Sequence, residues 1–513
     1  MKLLQIDWPV LALVLTWKAG LLLFTAQPLP TGDSFFYDGA VVNYLNGGKY
    51  CNPALSQVLH ISGTEVFSAY PPLHQAALWV WMTITKPTAV SALWFHFWLF
   101  TVYAIGVLGI SRQLRLPPLW INLGSLFLVA ITFHDRPDTL AFALGIWAMY
   151  FWIRAGEGSQ TMGNRWSWLA AGLNILTLAA SLQIGVFCIL WCWLFSAARS
   201  RQLRLPWLPC SATLLVPALL VLMVRFGFPR LWAGFIEHVR EAPTFMGWQG
   251  LDVFAVTINC FLKMLRTVPG ALLASGLVVL MVVGAKHYGV RKLGWLEQPF
   301  ILSCLIMEIL LIGMAFLCRM EGLTVWIAYL QPLVVASTSA LVIGLGAINR
   351  TQYIFTIVVL AAVTAIRAVG MTTWGVACAR DVSYTEAIRQ VRLTLNSCPA
   401  DSTAILSAAY LYEGTSHRQL RVLHADWLAS YRKPYNLAER LWALKPRELV
   451  LTQFDYWRRF KPLLDLLQAH PEIVTVHVRN CATVSPPDQV PVVQKLVQHV
   501  SWAPVLVEFS WRN

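Results

Sequence analysis

The sequence predicts a polytopic, all-α membrane protein with a small α/β domain at its carboxyl end. Of the 513 residues, 57% are hydrophobic and only 12% are charged, whereas soluble domains carry about 25% charged residues. Apolar runs of roughly 18 residues or more recur, and each is long enough to cross a bilayer as a helix. After about residue 370 these runs stop, and β-rich pieces alternate with helical ones, which is typical of a small α/β domain.

The apolar runs predict about eleven membrane spans. The first covers residues 8–26 and carries Lys18 near its centre, with no small-residue cleavage site after it. We therefore interpret it as a retained span rather than a signal peptide. The other spans are expected at 91–111, 117–133, 138–154, 166–180, 181–198, 206–225, 269–285, 299–317, 323–347 and 352–370.

Two long loops, 27–90 and 226–268, separate some of these spans on the outward side. In the first loop, FFYDGAVVNYL (35–45) predicts a helix that lies on the membrane surface with an apolar face. A second helix is expected to begin at Pro71–Pro72, because proline is tolerated in the first turn of a helix.

The predicted domains are 1–370, which holds the spans, and 371–513. The second contains the β-rich pieces TAILSA, ELVLTQF, EIVTVHV and PVLVEFSW and the helical pieces SYTEAIRQVRLTL and KPLLDLLQAH. It shows neither a glycine-rich phosphate motif nor an evident catalytic set, so a role in stability or docking is expected. Cys398 and Cys481 both fall in it and are candidates for a disulfide if the domain faces an oxidising compartment.

The distribution of charge predicts the orientation of the chain in the membrane. Every predicted inward loop is basic, as the positive-inside rule requires. This orientation explains the net charge of +14 without nucleic acid as a partner. An odd number of spans places the carboxyl-terminal domain outside. Nine of the thirteen acidic residues up to residue 369 also fall on the outward side, which indicates an outward-facing polar site.

Three outward segments carry the candidate site residues. The first is GDSFFYDGAVVNYLNGGKY (32–50), which follows the first span. The second is HDRPD (134–138), a turn between two spans with two carboxylates, an arginine and a histidine, where a short polar turn would suffice. The third is CRMEG (318–322), which precedes a helix containing IAYLQP. A solvated turn remains the alternative for HDRPD.

The order of these motifs resembles the GT-C superfamily of membrane glycosyltransferases. Within it, the chain is most similar to the protein O-mannosyltransferase and aminoarabinose transferase branch. The resemblance covers about residues 8–370. It rests on Asp33 with Tyr37 four residues later, Gly47-Gly48-Lys49-Tyr50, Tyr70-Pro71-Pro72-Leu73, HDRPD, and Arg319 before Tyr329-Leu330-Gln331-Pro332. One departure is that the family often has two adjacent acidic residues after the first span, whereas Ser34 follows Asp33 here.

The resemblance implies a GT-C fold and an inverting transfer of a sugar from a polyprenyl-phosphate donor. The acceptor, which can be a protein, a glycan or a lipid, would react at the outer face of a bacterial inner or plasma membrane. Asp33 is the expected general base, because the family places its catalytic carboxylate there. Asp38, about one and a half helical turns later, is expected to point elsewhere.

The remaining candidates would bind the donor, the acceptor or a metal. Arginine suits a leaving phosphate because its guanidinium can form two parallel hydrogen bonds. Arg319 is the first candidate, followed by Arg136, Lys263 and Arg266, for which lipid headgroups are alternative partners. Asp135 and Asp138 would orient Arg136, bind the acceptor or hold Mg²⁺ or Mn²⁺, with His134 or His74 as a further ligand.

Two other kinds of function stay open at this point. A transporter or lipid flippase would be expected to show inverted repeats and broken helices at the midplane, and the sequence shows no internal repeat. A non-catalytic membrane scaffold, whose carboxyl-terminal domain binds a partner, is the third possibility.

Overall fold

A computed structural model provides the structure of the protein. It describes residues 8–56, 60–116, 118–129, 136–155, 165–200, 207–245, 299–304, 306–307, 310–311, 329, 333, 350–430, 437–484 and 501–512. The fold is mostly helical, with one small sheet near the carboxyl end.

Several predicted spans coincide with helices of the amino-terminal part, although the helix Pro118–Phe127 covers only ten residues of the span predicted at 117–133. The predicted span 269–285 lies outside the described residues, and only parts of 299–317 and 323–347 are described. The total of about eleven therefore stays a prediction. The helices are α1 Trp8–Thr25, α2 Gly32–Leu45, α3 His60–Thr64, α4 Leu73–Thr85, α5 Ala89–Gln113, α6 Pro118–Phe127, α7 Pro137–Ala155, α8 Arg165–Ala180, α9 Leu182–Ser200, α10 Trp207–Gly227, α11 Pro229–Phe245 and α12 Arg350–Asp381.

Two of the described helices are long and apolar enough to cross a membrane, at Ala89–Gln113 and Leu182–Arg199. A third crossing is present if Leu215–Gly227 and Pro229–Glu237, which meet at 108°, form one span. The first helix is shorter, with an apolar stretch from Pro9 to Thr25. These helices agree with the predicted class of integral membrane protein.

The helices pack around a common apolar core. Helix α7 lies against α5, α8 and α9, and its buried face includes Phe142, Ile146 and Met149. The facing side of α5 buries Phe100 and Tyr103 completely. This packing fixes where α7 begins, which matters because Arg136 immediately precedes it.

The carboxyl-terminal domain is an α/β unit, as predicted. Helix α12 continues past the predicted boundary at residue 370 and ends at Asp381. The elements that follow are α13 Tyr384–Asn396, β1 Thr403–Leu406, α14 Ala408–Gly414, β2 Arg421–His424, α15 Ala425–Ser430, α16 Leu437–Leu444, β3 Glu448–Leu451, α17 Gln453–Asp455, a π-helical turn Tyr456–Phe460, α18 Lys461–Gln468, β4 Val474–Asn480 and β5 Val505–Trp511.

The five strands form one mixed sheet in the order β2-β1-β3-β5-β4. Strand β1 pairs in parallel with β2 and β3, and β5 runs antiparallel to β3 and β4. Strands β1, β3, β4 and β5 coincide with the four β-rich pieces of the sequence. Strand β2 was not predicted, because RVLH is short and begins with an exposed arginine.

Helix α2 is present as predicted, but protein covers it on all sides rather than leaving one face for lipid. Its place on the membrane surface stays a prediction. Residues 34–42 are all buried, because the carboxyl-terminal domain packs over the helix. Phe35 makes an edge contact with Tyr412 at 5.0 Å between ring centroids, and Phe36 stacks on Trp427 at 4.5 Å. A helix covered in this way needs apolar residues all round rather than on one face.

The suggested disulfide is not formed. Cys398 and Cys481 are both free thiols. Cys398 is buried and its thiol lies 3.4 Å from the carbonyl oxygen of Thr394. Burial raises the pKa of the Cys398 thiol to about 11, so it acts as a small core residue.

Candidate functional site

Asp33 lies in the first turn of α2, where a carboxylate is favoured by the helix dipole. The turn is fixed by a capping box, in which the backbone nitrogen of Thr31 donates to the Ser34 hydroxyl at 2.7 Å. Ser34 therefore has a local structural role. The side chain of Asp33 is 45% exposed, so a substrate can reach it.

Arg136 joins two of the predicted carboxylates. Its Nη1 donates to Asp33 Oδ2 at 2.7 Å, and its Nε lies 3.2 Å from Asp138 Oδ2. The exposed fractions fall from 45% at Asp33 to 19% at Arg136 and 3% at Asp138. The three side chains thus form a row from the surface into the protein, with the cation in the middle.

The inner end of this row is held by the membrane helices. Asp138 lies in the first turn of α7, and its Oδ1 accepts a hydrogen bond from Ser181 at 3.4 Å. Ser181 lies between α8 and α9. Packing of three helices therefore fixes Asp138, and Asp138 in turn fixes the direction of the Arg136 guanidinium.

Two tyrosines line the site beside Arg136. The guanidinium carbon of Arg136 lies 5.7 Å from the ring centre of Tyr37, and Tyr37 meets Tyr70 edge to face at 4.8 Å. Tyr70 donates to Gln183 Oε1 at 3.3 Å. Burial raises the pKa of Tyr37 well above its ordinary value and that of Tyr70 to about 12. Both phenols therefore stay neutral and can donate hydrogen bonds.

The carboxyl-terminal domain holds the start of α2. His424 Nε2 donates to the Gly32 carbonyl at 2.9 Å, and Trp427 Nε1 donates to the same oxygen at 3.2 Å. Burial lowers the pKa of His424 to about 4, so the ring is neutral. A Cβ atom on Gly32 would lie 2.6 Å from Asp426 Oδ2, so only glycine allows this approach. These contacts position Asp33, the next residue.

Tyr329 is placed deeper than the row of charges. Its ring stacks on Phe142 at 4.4 Å, and its hydroxyl lies 3.1 Å from Thr139 Oγ1. Tyr103 donates to its carbonyl oxygen. With 1% exposure, Tyr329 supports α7 just behind Asp138 and does not reach the surface of the site.

Several predicted residues lie outside the described part of the chain, and their roles stay predictions. They are His134, Asp135, Lys263, Arg266 and Arg319. One expected neighbour is corrected by the structure: His74, considered as a metal ligand together with Asp135 and Asp138, lies against Asp38 instead. Asp38 points away from Asp33, as predicted, but it is fully buried.

The group around Asp38 was missed as a group by the sequence analysis. Asp38, His74 and His96 come together from α2, α4 and α5. Each histidine stands within an apolar helix, in PPLHQAAL and LWFHFWLF, and that was the available signal. An intramembrane or buried ionisable side chain normally requires a partner.

No protein-family model and no curated protein matches the chain. Two solved structures are similar to 97% of it. One is a crystal structure of ArnT from Cupriavidus metallidurans bound to undecaprenyl phosphate, with 13% identity, 97% of that chain covered and a TM-score of 0.49. The other is ArnT from the same organism in the apo state, with 12% identity, 96% coverage and a TM-score of 0.40. At these values the function must be argued from the residues of the chain itself.

Proposed function

We propose that the protein is a membrane glycosyltransferase that moves a sugar from a polyprenyl-phosphate donor to an acceptor hydroxyl at the extracytoplasmic face. The observation that carries the proposal is the row Asp33–Arg136–Asp138, which joins the start of α2 to the start of α7. It supplies an accessible carboxylate and a guanidinium held in a fixed direction. The motif order of the sequence supplies the reaction class.

Asp33 is the proposed general base. Its Oδ2 binds Arg136, while Oδ1 makes no hydrogen bond with any residue that the structure describes. Oδ1 can therefore accept the proton of an acceptor hydroxyl. The acceptor oxygen then attacks the anomeric carbon, the bond from that carbon to the phosphate oxygen breaks, and the configuration inverts. The proton remains on Asp33 and the lipid phosphate leaves with the electron pair.

Arg136 is proposed to bind the leaving phosphate. A guanidinium near the phosphate stabilises the charge that develops there as the bond breaks. Arg136 has to share its donors between the phosphate and Asp33, so donor binding would loosen the ion pair. Asp138 keeps the guanidinium in place during this exchange.

The charge of the row indicates that further cations are needed. Two carboxylates and one guanidinium give the described row a net charge of −1, which by itself repels a phosphodiester. Arg319, Lys263 and Arg266 are the proposed additional cations. A divalent cation held by Asp135 or Asp138 would serve the same purpose.

A transporter, a flippase or a scaffold would not require the row Asp33–Arg136–Asp138. A transporter or flippase needs no accessible base, and a scaffold needs no guanidinium aligned between two carboxylates. Purified protein incubated with a panel of polyprenyl-phosphate sugars should consume one of them. Consumption of none, with the protein folded, would favour a transporter or a scaffold.

The assignment of Asp33 is tested by Asp33→Asn. Loss of a general base costs about 10²- to 10⁴-fold in rate, and we expect sugar transfer to fall by that factor with unchanged expression. Asp465→Asn, which changes an exposed carboxylate of the carboxyl-terminal domain, is the matched control and should keep full activity. Full activity of the Asp33 variant would exclude Asp33 as the base.

A further inference from the structure

A second group of ionisable side chains lies apart from the row described above. Asp38, His74 and His96 each offer one ligand atom, and these three atoms lie within 4.8 Å of one another. All three residues are fully buried. They come from α2, α4 and α5, so the group joins three helices at one point.

The distances within the group are compatible with a metal site. His74 Nε2 lies 3.2 Å from Asp38 Oδ1, and His96 Nε2 lies 4.0 Å from Asp38 Oδ2. Zinc bonds of 2.0–2.1 Å at a tetrahedral angle place ligand atoms about 3.4 Å apart. Small side-chain movements would therefore bring the three atoms around one ion.

The energetics of burial also indicate an ion. A carboxylate buried without a cation is costly, and Asp38 is fully buried. Its described partners are the two imidazoles and the Tyr412 hydroxyl, which donates to Oδ2 at 2.9 Å. Buried His74 Nδ1 has no hydrogen-bond partner among the described residues. A divalent cation would compensate the carboxylate without requiring either imidazole to be charged.

We propose that Asp38, His74 and His96 form a zinc site inside the protein. Two imidazoles and one carboxylate are a donor set that suits Zn²⁺ rather than Mg²⁺, which prefers oxygen ligands. Three protein ligands leave a fourth position for a water molecule. The Tyr412 hydroxyl on Asp38 orients the carboxylate from the side of the carboxyl-terminal domain, as hydrogen bonds to metal ligands commonly do.

The site would link α4 and the candidate membrane span α5 to the helix that carries Asp33. Asp38 and Asp33 lie on the same helix, α2, while His74 and His96 belong to α4 and α5. The metal is therefore assigned a structural task, and its binding does not depend on the proposed sugar transfer. The two proposals can fail separately, because zinc binding is measured without donor or acceptor.

The test measures zinc bound to the purified full-length protein in detergent, after removal of any affinity tag and dialysis against Zn²⁺. We expect about one zinc per chain by mass spectrometry. Changing a residue next to a metal ligand weakens binding by about 10- to 100-fold, so losing a ligand in His74→Ala should weaken it at least tenfold. His470→Ala removes a 60% exposed histidine and should bind zinc as the wild type does.

A second measurement covers the case in which His74→Ala does not fold. Cobalt added to the wild-type protein should give the visible absorption of a four-coordinate ion, and zinc should displace it. A wild-type protein that binds neither metal, or that binds zinc no more tightly than the folded His74→Ala variant, would overturn the proposal. The group would then be a hydrogen-bonded Asp–His–Tyr network only.

Discussion

Replacement of Arg136 by glutamine should destabilise the fold mainly because it leaves the buried carboxylate of Asp138 without its cation. The distances are similar, 2.7 Å to Asp33 Oδ2 and 3.2 Å to Asp138 Oδ2, but the carboxylate side chains are 45% and 3% exposed. An exposed ion pair contributes about 0.2–1 kcal/mol. Removing one partner of a buried pair costs about 3–5 kcal/mol, because the other charge stays buried without it.

We therefore expect Arg136→Gln to lose about 3–5 kcal/mol of stability and Asp33→Asn no more than about 1 kcal/mol. The double variant Arg136→Gln/Asp138→Asn should recover part of the loss, because the buried charge is then removed as well. Double-mutant cycles measure the coupling free energy of Arg136 with Asp33 and that of Arg136 with Asp138 separately.

The assay is thermal unfolding in detergent at one fixed scan rate, since unfolding of large proteins is often irreversible and the apparent midpoint then depends on the rate. The expected order of melting temperature places Arg136→Gln lowest, the double variant with Asp138 above it, and Asp33→Asn close to the wild type. A coupling of Arg136 with Asp33 that equals or exceeds its coupling with Asp138 would refute the reasoning from exposure.

Two further predictions concern the carboxyl-terminal domain. Trp427→Ala removes the stack on Phe36 and the hydrogen bond to the Gly32 carbonyl, and a shift of about 1 Å in Asp33 can cost up to about 100-fold in rate. Trp427→Phe keeps the stack and should retain more transfer activity; equal rates for the two variants would contradict this role. Burial, assisted by a neighbouring glutamate, raises the pKa of Glu448 from 4.5 to about 7. The folded protein then holds this proton more tightly than the unfolded chain, so stability is full below about pH 4.5 and falls as the pH rises through about 7. Glu448→Gln should flatten that fall, measured as melting temperature against pH; an unchanged slope would contradict it.

The periodicity and length of apolar runs predicted most of the helices, because a bilayer fixes the length of a spanning helix. The β-rich pieces predicted β1, β3, β4 and β5, since continuous apolar runs are typical of buried strands. Strand β2 was not predicted, because its four residues include an arginine and a histidine. Only its pairing with β1, a contact distant in sequence, makes it a strand.

The site was predictable as a set of residues but not as an arrangement. Charges and spans predict the same side of the membrane for Asp33, Arg136 and Asp138, and the structure brings these three together. The burial of α2 could not be inferred, because its cover comes from residues nearly 400 positions later, such as His424. The pairing of Asp38 with His74 was missed for a similar reason: it depends on how α2 and α4 pack.

The contact between Gly32 and His424 also sets an order of events during synthesis. The two residues are 392 positions apart, and ribosomes add about 5–20 residues per second. The residues that hold the first turn of this helix are therefore synthesised roughly 20–80 s after the helix itself. We expect the nascent chain to be unable to carry out the proposed sugar transfer through that interval.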